Sequence, residues 1–404
     1  MASRIRARRL LTEQGWLEHQ ELTHEGGIIT AIVPITDGDP ARDVELLVPA
    51  LIDGHVHGGA GVDVMDSDGN ALATLSIAKA AEGVGAFLAT TVTAPLPEIE
   101  QALARIADGV ARGMPGAELL GCYLEGPYFT PDNKGAHDQA LFRELDITEL
   151  NHLQQLARGS LKMVALAPEK PNAIAAIHHL AANGIRVMLG HSAADHDTTM
   201  AALAAGASGL VHCFNGMRGL HHREPGMVGA GLVHPAAWLE LIADGHHLHP
   251  SVLKLCHCCA GQRLLLVTDA MRAAGMPDGH YLLGNYLLGN YRVEMKNGVV
   301  RTDTGGLAGS ALTLLGAVRN MVQLADVPLD EAIAMASLAP AKMLGIADRL
   351  GSLAVGKQAN LLALTTELNQ QHIWVAGREI NPTQLSSLFS GSRVNQDAQE
   401  SLCI

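Results

Sequence analysis

Six times along this chain a short apolar run ends in a group able to bind a metal or move a proton. The runs are Leu51 to His57, Leu120 to Glu125, Val187 to His191, Gly209 to His212, Leu239 to Asp244 and Leu264 to Asp269. A parallel β-strand buried on both faces reads as a continuous Val, Ile and Leu segment. In a β/α barrel the chemistry collects at the C-terminal ends of such strands. Imidazoles and carboxylates at these ends predict a metallohydrolase.

The spacing between the runs agrees. Candidate strands lie at 51–56, 87–92, 119–124, 162–167, 185–189, 209–213, 239–243 and 263–268, with Ala-rich helical stretches at 71–83, 98–112, 172–182 and 198–205 between several of them. Strands alternating with helices imply parallel pairing. The expected fold is an α/β (β/α)8 TIM-like barrel, with a doubly wound open sheet as the competing topology. Residues 1–50 and 350–404 instead carry short β-like runs and turns. They are expected to form one small β-sandwich domain from both chain ends, flanking a barrel over 51–349. Within it, Ser3 onward reads as a first strand rather than a transit sequence, because Glu13, Glu18 and Glu21 follow the arginines. Two further features interrupt the pattern: a turn-rich insert after Ala270 containing a tandem repeat over 281–290, read as a β-excursion, and a polar tail from about residue 383.

Composition narrows the function. The net charge of −13 disfavours nucleic acid and anionic membrane as partners, so an anionic substrate must be met by local cations. No apolar stretch is long enough to span a bilayer. Six cysteines in 404 residues are no disulfide framework and fit a reducing cytoplasm. Cys256 and Cys259 form a Cys-x-x-Cys, but the segment from Pro250 to Gly261 reads as a capped helix, and a structural zinc site needs four ligands.

Among the chemical groups, His55 and His57 fall on one face of an extended strand, since side chains alternate with period two. With Glu125, His191 and His212 at other strand ends they offer an N/O ligand set suited to a divalent metal, Zn²⁺ or Fe²⁺. Asp269, closing the last strand, is placed to accept and return a proton. His137, His246, His247 and His249 fall in loops after strand ends, where substrate contact is expected. Asn215 and Arg223 offer donors nearby, and an arginine can grip phosphate with a bidentate fork. His19, His24, His178, His179 and His257 are expected to be solvated. No nucleotide-binding loop is present.

At these residues the chain resembles the amidohydrolase superfamily, and within it the N-acetylglucosamine-6-phosphate deacetylases. The matching segments are Pro49 to Gly59, Leu124 to Tyr128, Lys134 to His137, Leu189 to Ser192, Val211 to Met217, Arg223 to Gly226, Ile242 to His247, Val267 to Ala270 and Leu307 to Ser310. The resemblance implies hydrolysis of the acetyl group from N-acetyl-D-glucosamine 6-phosphate, with the N-acetylgalactosamine epimer as the alternative. It implies that Glu125, His191 and His212 hold the principal metal and that Asp269 is the acid/base. It further implies that His137 polarises the carbonyl, while Ala136, Asn215, Gly216, Arg223, His247, Leu307, Ala308 and Gly309 hold the sugar phosphate. Because His55 and His57 are retained, it implies a two-metal site bridged by Glu125. It also implies a homodimer in which Arg223 serves the neighbouring subunit. Cyclic-amide hydrolases and deaminases of the superfamily commonly bridge their metals with a carboxylated lysine, for which Lys170 is poorly placed. A noncatalytic binding protein on the same barrel is the reading from outside enzymology.

Overall fold

A computed structural model describes residues 2–35, 42–284 and 292–381. Its centre is eight strands: β1 (Leu51–Val56), β2 (Val84–Thr91), β3 (Glu118–Glu125), β4 (Leu161–Leu166), β5 (Arg186–Leu189), β6 (Gly209–Leu210), β7 (Trp238–Leu241) and β8 (Leu264–Leu266). Each pairs in parallel with the next. Every residue of β1 and β2 is buried, as expected of strands covered on both faces, and in β1 that includes Asp53 and His55. Just beyond the last strand the sheet meets the first: Val56 bridges Ala270, Asp269 N–H donates to His55 O at 3.0 Å, and His57 N–H donates to Ala270 O at 2.9 Å. The predicted barrel is therefore found, and the open sheet is not.

The seam between β1 and the segment after β8 is also tied by side chains. Thr268 Oγ1 donates to Asp53 Oδ2 at 2.7 Å, and the Lys79 ammonium lies 4.0 Å from the same oxygen. Asp53 and Lys79 are both fully buried. Burial pushes the Asp53 carboxyl up against the pull of Lys79 and Thr268, while at Lys79 burial is outweighed by Glu82, 2.8 Å from the ammonium, and then by Asp53, which favour the charged lysine.

Two predicted strands are shorter than expected. Segment 209–213 keeps only Gly209 and Leu210 in the ladder, and 263–268 keeps Leu264–Leu266. The cause is local: His212 and Asp269 take φ of 23° and 49°, which ends extended pairing and turns the chain over the barrel mouth. Helices over Ala71–Ala81, Leu96–Arg112, Ala173–Ala182 and His196–Ala204 match the expected stretches. Those over Ile147–Ala157, Gly226–Val233 and Leu338–Leu344 were not predicted; the second is glycine-rich and the third contains Pro340, so neighbours rather than propensity sustain them.

Both chain ends build one continuous seven-stranded ladder. Its order is Arg378–Glu379, Gln370–Val375, Leu361–Leu364, Arg42–Pro49, Ser3–Thr12, Gly15–Glu25 and Ile28–Pro34. The period-two alternation of a strand sorts its residues. Leu362 and Leu364 join the barrel core, whereas Leu361 and Ala363 join a separate core with Ile5, Ala7, Leu22 and Trp374. His24 shares that inward alternation and is buried, against the solvated role expected of it; burial lowers its pKa.

The insert after Ala270 is the expected β-excursion, a three-stranded antiparallel sheet of Gly279–Leu282, Arg292–Lys296 and Val299–Thr302. Most of the tandem repeat, and the polar tail, lie outside the described residues. Pro250–Ala260 is a helix, with His249 Nδ1 accepting from Ser251 N–H at 3.2 Å as its N-cap. His249 is thus a capping residue rather than a substrate contact. Among the described residues no helix is long and apolar enough to cross a membrane.

Candidate active site

The strand ends converge. His55, His57, Glu125, His137, His191, His212 and Asp269 are all buried, and they gather at the C-terminal mouth of the barrel. Four imidazoles spend Nδ1 on an acceptor: His57 on Thr90 O at 3.2 Å, His191 on Asn133 O at 3.1 Å, His212 on Asn215 O at 3.1 Å and His55 on Glu240 Oε2 at 3.0 Å. A carbonyl or carboxylate oxygen can only accept, so Nδ1 carries a hydrogen, and in the neutral ring Nε2 keeps its lone pair. These lone pairs face one another, His191 Nε2 at 3.0 Å from His212 Nε2 and His55 Nε2 at 3.2 Å from His57 Nε2. Such opposition is repulsive unless a cation or a proton stands between the nitrogens.

Glu125 lies between the two pairs. Its Oε1 is 3.2 Å from His212 Nε2 and 3.4 Å from His191 Nε2, and its Oε2 is 3.1 Å from His57 Nε2. Two groups with metal-ligating geometry result, His55/His57/Glu125 and Glu125/His191/His212. Three nitrogen and oxygen donors in each, oriented from behind, fit a divalent metal with positions left for substrate.

Charge is balanced tightly here. Burial pushes the Glu125 carboxyl up, but the His55 charge and the hydrogen bonds of His191 and His212 hold it well below the usual range. Asp269 Oδ1 lies 3.2 Å from His57 Nε2 and 3.5 Å from His55 Nε2. Despite burial, those two imidazoles lower its pKa to about 2, which keeps it a base at neutral pH. The His137 pKa is also driven well below its ordinary value, by burial and then by the His191 charge, which favours the neutral ring. Its Nδ1 is 2.9 Å from Thr93 Oγ1 and its Nε2 faces Glu125 Oε2 at 3.6 Å.

The expected substrate contacts divide. Gly309 sits beside Asp269, where a Cβ would lie 3.0 Å from Asp269 O, and Ser310 N–H donates to that oxygen at 2.8 Å; Leu307 bridges Arg301 and Ala308 packs in the core of the insert. Ala136 adjoins His137 and packs against the insert. Gly216 is required to be small: a Cβ there would lie 2.9 Å from His191 Nδ1. Asn215 turns its Nδ2 back onto His212 O at 3.3 Å and offers its own carbonyl to the His212 ring. His247 is aimed by Asp244, whose Oδ2 accepts from Nδ1 at 2.7 Å while Oδ1 accepts the His246 and His247 amides at 2.8 Å each. His246 is exposed. Arg223 is not brought to the cluster: it is exposed, with Nη1 2.7 Å from His222 Nε2. Lys170 pairs with Glu144 at 3.1 Å.

Sequence reasoning missed two carboxylates. Glu169, after β4, accepts from Thr130 Oγ1 at 3.0 Å, Ser192 Oγ at 2.6 Å and Ala193 N–H at 2.8 Å, tying three barrel-mouth loops together. Glu240, inside β7, accepts from His55. Its signal was present as a lone charge within the apolar run Leu239 to Ala243.

The comparisons agree with this geometry. A model of the amidohydrolase family matches residues 46–385. An N-acetylgalactosamine-6-phosphate deacetylase of Escherichia coli O157:H7 is 59% identical over 93% of this chain and 98% of its own length. An N-acetylglucosamine-6-phosphate deacetylase of Vibrio furnissii is 50% identical over 99% and 98%. The crystal structure of N-acetyl-D-glucosamine-6-phosphate deacetylase from Mycobacterium smegmatis superposes with a TM-score of 0.88 at 30% identity, covering 94% of this chain and 100% of that one. Strand-end ligands, a closed barrel and relatives matched along nearly their whole length converge on one assignment: the chain belongs to the amidohydrolase family, in its branch of N-acetylated amino-sugar 6-phosphate deacetylases.

Proposed function

We propose that this chain hydrolyses the N-acetyl group of N-acetyl-D-glucosamine 6-phosphate, releasing acetate and glucosamine 6-phosphate in amino-sugar catabolism. The observation that carries the reading is the pair of His/Glu groups sharing Glu125 with Asp269 at their edge, in a chain whose relatives are named for this reaction. Glu125, His191 and His212 would hold the principal ion, with His55 and His57 adding a second; the donor set suits Zn²⁺ or Fe²⁺. A divalent ion supplies Lewis acidity, polarising a carbonyl and acidifying water.

The protein's own groups do the rest. Asp269, ionised at neutral pH, takes the proton from the attacking water and returns it to the amide nitrogen, so that the amine leaves neutral. Thr93 can donate its hydroxyl hydrogen to His137 Nδ1, which leaves Nε2–H free to stabilise the developing oxyanion. His247, Asn215, Gly216, Ala136 and the Leu307 to Gly309 segment orient the sugar. In a molecule of net charge −13, the phosphate needs a local cation, and Arg223 of a second subunit supplies it in a homodimer. The barrel over 51–349 and the small domain from both ends act as one cytoplasmic enzyme; the five described cysteines are unpaired, in keeping with a reducing compartment.

A second reading keeps the chemistry and inverts the C4 hydroxyl. It is favoured by the 59% identity to an N-acetylgalactosamine-6-phosphate deacetylase. Acetate release from the two sugar phosphates, compared as kcat/KM, decides between them, and release from neither overturns both. Asp269→Asn should keep its metal content and lose about 10²- to 10⁴-fold in turnover; retained turnover would remove Asp269 from its role.

A further inference from the structure

We propose that Glu240 is a positioning residue that sets the affinity of the His55/His57 metal subsite; this rests on the metal reading of the site given above. Glu240 is fully buried in β7, where an uncompensated carboxylate costs several kcal/mol. Its compensation comes through one oxygen. Oε2 accepts from His55 Nδ1–H at 3.0 Å and from His212 backbone N–H at 3.2 Å, while Oε1 has no hydrogen-bond partner.

Those two donors belong to different metal groups, His55 to the one with His57 and His212 to the one with His191. The two are not equally dependent on Glu240. The His212 ring is fixed independently by Asn215 O, whereas the described Nδ1 anchor of His55 is Glu240. Its other described ring contacts are packing contacts that do not engage Nδ1: Tyr123 at 5.0 Å between centroids, His57 at 5.1 Å and His212 at 5.8 Å. The carboxylate therefore holds the imidazole so that Nε2 faces His57 and Glu125. A hydrogen bond to a charged acceptor is roughly twice as strong as one to a neutral acceptor, and it makes the imidazole a better ligand. Charge points the same way. Glu125 and Asp269 together neutralise a single divalent ion, and a third carboxylate in contact with His55 favours a second.

The test is a Zn²⁺ titration of chelator-stripped wild type and Glu240→Gln, with bound metal counted by elemental analysis. Wild type should take up two ions per chain. In Glu240→Gln the tighter step should be unchanged and the weaker step lowered about 10- to 100-fold. The metal-free proteins should melt together. Adding E240Q to His57→Gln, which already removes the subsite, should cause no further loss. Identical binding in both proteins, uptake of one ion by wild type, or equal weakening of both steps would each overturn the proposal. Should the glutamine variant not fold, Glu240→Asp draws the oxygens back from His55 and should show the same selective loss. Acetate release by wild type is measured separately, so failure of the enzymatic reading is distinguishable from failure of this one.

Discussion

His191, His212 and Asp269 leave their strands with φ of 46°, 23° and 49°. Non-glycine residues adopt this region at a cost of order 1 to 3 kcal/mol each, and here it folds three side chains back over the barrel mouth. The space they enter has little slack. Ala at position 216 would put a methyl 2.9 Å from His191 Nδ1 on a backbone at φ 61°. Gly216→Ala should therefore fold yet bind metal about 10- to 100-fold more weakly, as read by equilibrium dialysis; unaltered affinity would mean that the His191 ring is not confined there. Protonation sets a second expectation. Burial disfavours a charged His57, but Asp269 and Glu125 outweigh it and raise its pKa to about 9. A ligand imidazole must be neutral, so the proton is displaced on binding and affinity should weaken as pH falls below 9. Calorimetry in buffers of differing ionisation enthalpy measures the released proton, and a pH-independent affinity would contradict the assignment. At this scale the sequence is uneven. His55 and His57 are legible from alternation alone, whereas the work of His137 depends on Thr93, 44 residues away, and no local pattern announces that.

Among elements, the closure of β1 against the end of β8 determines whether His55 and Asp269 meet. Asp53 accepts Thr268 Oγ1 at 2.7 Å and Thr268 N–H at 3.2 Å across that seam. Asp53→Ala strands these donors and leaves Lys79 with Glu82 as its remaining charged partner, at 2.8 Å. We expect it to lower unfolding free energy by about 3 to 5 kcal/mol in a urea titration; a loss near zero would mean that other contacts close the seam. The same seam shows why the barrel was readable. Strands buried on both faces are mostly apolar, so they appeared as short apolar runs, broken only by single polar groups such as Asp53 and Glu240. Helices were harder. Gly226–Val233, rich in glycine, forms because Met227, Val228 and Leu232 pack into the core, and such packing is invisible in a local pattern. The outer sheet was legible as strand-like segments at both chain ends belonging to one small domain, but its strand order was not, since one partner of Arg42–Pro49 lies more than three hundred residues downstream at Leu361–Leu364.

For the whole molecule, the exposed Arg223 makes a prediction about subunits. If it serves the neighbour's phosphate site, mixing Asp269→Asn with Arg223→Ala under conditions that exchange subunits should recover activity that neither has alone. One mixed dimer site then combines an intact Asp269 with an intact Arg223. No recovery in verified mixed dimers would place the phosphate cation within a single chain. The seven-stranded sheet has a different consequence, for the order in which the chain can be finished. Arg42–Pro49 leaves the ribosome early with one flank paired to Ser3–Thr12 and the other bare. Its second partner follows only after about 310 further residues, which at 5–20 residues per second is roughly 15 to 60 s of translation. Throughout that interval an unpaired strand edge is open to wrong partners, so the arrival of Leu361–Leu364 also closes that edge to aggregation.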